Sequence, residues 1–69
     1  MKIGHITLVR RGTEKIVKPI EQSGFDEWDD SRQRQKSLRE AEEKYRREIA
    51  KGAKLRLYNK SGYLVTEVD

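Results

Sequence analysis

Apolar positions along this chain follow three patterns. From Ile3 to Val9 the residues read Ile-Gly-His-Ile-Thr-Leu-Val, and from Lys15 to Ile20 they read Lys-Ile-Val-Lys-Pro-Ile. Both runs are rich in β-branched side chains, which pack well on a pleated surface, so they predict two strands. Between them, Gly12 in Arg10-Arg11-Gly12-Thr13-Glu14 supplies the positive φ of a tight turn, and an antiparallel hairpin over residues 1–20 follows. Pairing Val9 with Ile16 leaves neither face of that hairpin wholly polar, so one face is expected to cover the core and the other to meet a partner. Pro19 suits a strand end or a free edge, and Ser23-Gly24 breaks the extended pattern.

A helix is predicted over 25–51. Leu38, Ala41, Tyr45 and Ile49 recur at three- and four-residue spacing, and the stripe extends backwards through Gln35 and Ser31 to Trp28. Ser23 with Asp26, or Asp26 with Asp29, fits the spacing of an amino-terminal cap. Glu40–Lys44, Glu42–Arg46 and Glu43–Arg47 are acidic-first i,i+4 pairs, and Gly52 is a natural stop. Run from Asp26 to Lys51, such a helix is about 39 Å long against about 20 Å for a six-residue strand, so it must overhang the sheet or bend near Asp29–Lys36.

The third pattern is strict alternation. Lys54-Leu55-Arg56-Leu57-Tyr58, the turn Asn59-Lys60-Ser61-Gly62 and Tyr63-Leu64-Val65-Thr66-Glu67-Val68 predict a second hairpin over 53–69. A four-residue loop pairs Leu57 with Leu64 and Tyr58 with Tyr63, leaving Arg56 opposite Val65 and Lys54 opposite Glu67. The expected class is α+β, in the order ββαββ: one domain with a four-stranded antiparallel sheet and a helix across one face.

Length now sharpens the picture. Sixty-nine residues with no cysteine and 33% hydrophobic residues support one small core that no disulfide staples, so a partner or a second copy becomes a natural source of extra burial. The amino terminus has no long apolar run, which predicts a cytoplasmic protein without a membrane span. The net charge of +4 is unevenly spread: residues 1–20 carry +4, 21–31 carry −5, 32–51 carry +4 and 52–69 carry +1.

Candidate chemistry is sparse. His5 is the lone imidazole, with no cysteine to pair with it, and is assigned no role. Asp26-Glu27-Trp28-Asp29-Asp30 lacks the spaced oxygen ligands of a calcium loop and reads as dipole complementarity in a first helical turn. Phe25 and Trp28 are expected to fold back onto the sheet, an exposed partner-binding knob being the alternative. No catalytic, cofactor or metal residue is assigned.

These features favour a non-catalytic protein-binding module, a small regulator or inhibitor of a larger protein, of the kind phages and mobile elements encode. Its expected contact residues are Arg10, Arg11, Trp28, Asp29, Asp30, Arg56, Tyr58, Lys60 and Tyr63. The alternative is nucleic-acid binding, with Arg10, Arg11, Lys54, Arg56 and Lys60 on phosphates and Tyr58 and Tyr63 stacking on bases.

Overall fold

The computed structural model describes residues 2–21 and 26–69. Ser23, Gly24 and Phe25 lie outside the described residues. The chain forms β1 (Lys2–Arg10), β2 (Thr13–Glu21), α1 (Glu27–Lys44), α2 (Arg46–Ala50), β3 (Lys54–Asn59) and β4 (Leu64–Val68). All four strands lie in one sheet, ordered β2-β1-β3-β4 and antiparallel throughout. The two hairpins meet along β1 and β3, so β2 and β4 are the edges. The α+β class and the single sheet packed on a helix are as the pattern predicts.

Alternation decides which face is covered. Ile6 stands opposite Leu57 and Leu8 opposite Leu55, and these four side chains are buried with Ile3, Ile20, Leu38, Ala41 and Ala53. Tyr45, Ile49, Val17 and Val68 pack around that cluster. The register at the turns differs from the expected one. In the first hairpin Arg10 pairs with Thr13 and Val9 with Glu14, not Ile16. The loop shrinks to Arg11-Gly12, with φ of 49° and 81°, the positive pair that a two-residue turn matched to the sheet's twist requires. Glycine adopts this freely, whereas an arginine there costs about 1 kcal/mol. Arg11→Asn is therefore expected to raise stability by about 0.5–1 kcal/mol, read as a higher urea midpoint.

In the second hairpin the loop is one residue shorter than expected. Asn59 N–H donates to the Tyr63 carbonyl and Gly62 N–H to the Asn59 carbonyl, both at 3.0 Å. The Asn59 side-chain oxygen accepts from the Ser61 and Tyr63 amides. Tyr58 then faces Leu64, a bulge follows, and Leu57 faces Thr66 with Arg56 opposite Glu67. The predicted Tyr58–Tyr63 pair, the Leu57–Leu64 pair and the opposition of Lys54 to Glu67 are all displaced. The asparagine side chain decides this, since it ties both arms of the tighter loop.

Asp26 caps α1 by accepting the Asp29 amide at 2.9 Å, one of the two caps the spacing offered. The long helix is interrupted, but at Tyr45 and not near Asp29–Lys36. Tyr45 takes φ −107° and ψ 23°, which turns α2 and lets Tyr45 and Ile49 return to the core. None of the three expected intrahelical ion pairs forms among the described residues. Glu40 instead reaches Lys18 on β2 at 3.3 Å, and the break at Tyr45 disturbs the spacing of the other two.

Candidate partner-binding surface

The sheet face turned away from the helix carries the densest polar arrangement. His5 and Thr7 from β1, Glu14 from β2, Lys54, Arg56 and Tyr58 from β3, and Glu67 from β4 share it by strand alternation. Glu14 is the hub. Its carboxylate accepts from the Tyr58 hydroxyl, from Thr7 Oγ1 at 2.7 Å and from Arg56 Nη1 at 3.3 Å. On its other side Arg56 donates through Nε to Glu67 at 2.8 Å, and Lys54 lies 3.8 Å from the same carboxylate. His5 completes the row by stacking on Tyr58, ring centroids 4.8 Å apart and 18° from parallel.

The electrostatics follow from these bonds. Glu14 is held below the ordinary carboxylate value, first by the Tyr58 hydroxyl, then by Thr7, with Arg56 adding to both. Glu67 is lowered chiefly by its hydrogen bond from Arg56, and Glu27 by its bond from Arg34. A carboxyl whose folded pKa is depressed contributes stability that is complete above its unfolded value, here 4.5. That contribution is lost as pH falls through the lower folded values. The urea midpoint is therefore expected to stay level down to about pH 5 and to decline below it, and Glu14→Gln with Glu67→Gln should flatten the decline. An equal acid slope in wild type and double variant would show that these carboxylates do not gain from folding.

The expected contact residues do not form one surface. Arg10 and Arg11 sit exposed at the β1–β2 turn, Arg56 and Tyr58 are tied into the sheet-face network, and Lys60 and Tyr63 mark the β3–β4 tip. Lys60 is near enough to the helix start to lower Glu27. Trp28 does not fold back onto the sheet; it is 66% exposed, with Arg32 over its ring at 4.8 Å. Asp30 was expected at the surface but is buried in the helix–sheet interface. That interface has a polar end: Arg34, also buried, donates to the Ile3 carbonyl at 3.1 Å and to Glu27 at 2.6 Å.

Sequence reasoning named Tyr63 but missed its apolar neighbours Leu64 and Val65. Tyr63, Leu64 and Val65 are 73%, 52% and 45% exposed, consecutive along the hairpin tip and the start of edge strand β4. The signal was present as three large apolar residues in succession, which strict alternation cannot bury on one side. Opposite edges of the sheet are built differently. Along β2, Lys15, Lys18, Pro19 and the bulge at Val17 obstruct further pairing, whereas β4 contains neither lysine nor proline. Among the described residues no three His, Asp or Glu side chains gather in a way that holds a metal ion, and no helix is long and apolar enough to cross a membrane. Compared with protein-family models, curated proteins and solved structures, the chain matches none.

Proposed function

We propose that the protein is a non-catalytic protein-binding module, a small regulator or inhibitor, that engages an extended segment of its partner along β4. The carrying observation is the exposed run Tyr63-Leu64-Val65 on a sheet edge without the lysine and proline that obstruct the other edge. An edge strand offers unpaired backbone donors and acceptors at regular spacing, and flanking apolar side chains add burial and register. The partner strand accordingly has apolar residues facing Leu64 and Val65. Nucleic-acid binding through the sheet face has less support, because Arg56 and Lys54 already face Glu67 and Tyr58 is bound to Glu14.

Leu64→Lys with Val65→Lys places charge on this edge at exposed positions and should leave the fold intact. Retention of a protein from the native lysate at about equal stoichiometry by the wild type, with apparent affinity reduced at least tenfold, about 1.4 kcal/mol, in the lysine variant, is the expected result. A β2-edge control, Lys15→Glu, should retain it unchanged. If wild type and lysine variant retain the same proteins equally, β4 is not the binding edge. Anisotropy with single-stranded DNA, duplex DNA and RNA at physiological salt then tests the alternative.

A further inference from the structure

The β1–β2 hairpin runs past the end of the helix, and the space beneath it forms a cleft of about 670 Å³. Leu8 and Val17 from the hairpin and Ala53 before β3 give it an apolar floor. Around the rim stand Arg10, Arg11, Lys15 and Lys51 against a single carboxylate, Glu48. None of these four cations has an ion-pair partner among the described residues, whereas Lys18, Arg34, Lys54 and Arg56 all do. Arg11 is moreover held at positive φ, where asparagine or glycine would sit more comfortably. The cleft thus presents concentrated, uncompensated positive charge over apolar surface. Its chemical complement is an acidic segment with a large apolar side chain.

Such a segment exists at the other end of the molecule. Trp28 projects from the first turn of α1 between Asp26 and Asp29, with Glu27 already bound to Arg34, and its described ring contact is Arg32. The two features cannot meet within one chain. Arg34, two turns into α1, holds the Ile3 carbonyl at the start of β1, while Arg10 ends that nine-residue strand, so knob and cleft are separated by roughly 23 Å or more. We propose that they meet between copies: the acidic Trp28 knob of one molecule docks in the basic cleft of a second, and the second returns the contact. Two copies related by a two-fold axis with antiparallel helices satisfy both contacts at once, which closes the assembly as a dimer instead of a chain. Each indole buries apolar area on a floor of Leu8, Val17 and Ala53, while the carboxylates meet the rim cations. This dimer leaves β4 free, so it is independent of the partner-binding reading above.

Sedimentation equilibrium of the full chain over about 5–500 μM, at low and physiological salt, tests the proposal. The expected result is a monomer–dimer equilibrium that weakens with salt. Trp28→Ala, and separately Arg10→Glu with Arg11→Glu, should each weaken it at least tenfold while circular dichroism stays unchanged, all three positions being exposed. An equimolar mixture of the two variants should regain dimers, because an intact knob on one and an intact cleft on the other still make one of the two contacts. A wild type that stays monomeric overturns the proposal, as do dimers insensitive to both variants, growth beyond dimers, or variants that fail to complement. Dimers lost only on Leu64→Lys with Val65→Lys would assign self-association to the β4 edge instead.

Discussion

Gly4→Ala is expected to cost about 3 kcal/mol, in a domain whose total stability, at 69 residues, is about 3–10 kcal/mol. A Cβ at Gly4 would overlap the Tyr58 carbonyl oxygen and lie 3.1 Å from Arg34 Cδ. Neither neighbour is free to retreat. The carbonyl belongs to β3, which is hydrogen-bonded to β1 at this level, Gly4 facing Asn59. The arginine is held at both ends of its guanidinium, by Ile3 and Glu27. Relief must therefore separate the two hairpins or expel Arg34 from the interface, and the second leaves a buried carbonyl without its donor. Gly12→Ala is the matched control: nothing lies within 4 Å of a Cβ there, but φ is 81°, so the cost should be about 1 kcal/mol from backbone strain alone. Urea midpoints of the two variants measure the difference. A Gly4→Ala midpoint at or above that of Gly12→Ala would mean that the hairpins can part at little cost.

Gly4 also marks where the sequence stopped being legible. A glycine at the second position of a β-branched run reads locally as a weak strand residue, and only the close approach of the Tyr58 carbonyl on β3, with Arg34 beside it, explains it. The same interface hid the helix stripe. Leu38, Ala41, Tyr45 and Ile49 were visible because they are apolar, but the amino-terminal half of the buried stripe is Asp30, Arg34 and Ser37. Hydropathy extended the stripe through Gln35 and Ser31 to Trp28, which faces solvent. Periodicity had the right spacing and the wrong phase, because polar residues can be interior: Arg34 is held there by the Ile3 carbonyl and the Glu27 carboxylate. Hairpins fared better in existence than in register. Loop length fixes register, and it was set by two details, the acceptance of positive φ at Arg11 and the double hydrogen bond to Asn59.

For the binding surface the limit was strand order. Alternation placed Lys54, Arg56 and Tyr58 on one face, which is correct and reads in isolation as a basic, aromatic platform. Glu14 neutralises that platform from a hairpin more than forty residues earlier, and it does so because β1 lies between β2 and β3. Pairing of β1 with β3 is a non-local fact that the local pattern does not encode. Once it is known, the charges sort into those tied within the sheet face and those without an ion-pair partner among the described residues, such as Arg10, Arg11, Lys15 and Lys51 around the cleft. Net charge alone favours an anionic partner; its compensation on the sheet face leaves less free positive charge there for phosphates.

Two leucines of the same hairpin should separate folding from binding. Leu57 is fully buried, opposite Ile6 on one side and Thr66 on the other, at the centre of a core with few large residues to spare. Leu57→Ala removes its side chain from a site walled by two paired strands and the helix, and is expected to cost about 3–4 kcal/mol, a large share of the domain's stability. Leu64, seven residues on, is half exposed at the free edge. Leu64→Ala should change stability by no more than about 0.5 kcal/mol, yet weaken capture of the partner along β4. The pair is measured by urea unfolding beside the retention assay. Stability lost at Leu57 with binding lost at Leu64 is the expected dissociation. Should Leu64→Ala destabilise the fold as Leu57→Ala does, the exposed edge is part of the core's support, and the argument for β4 as a docking strand fails with it.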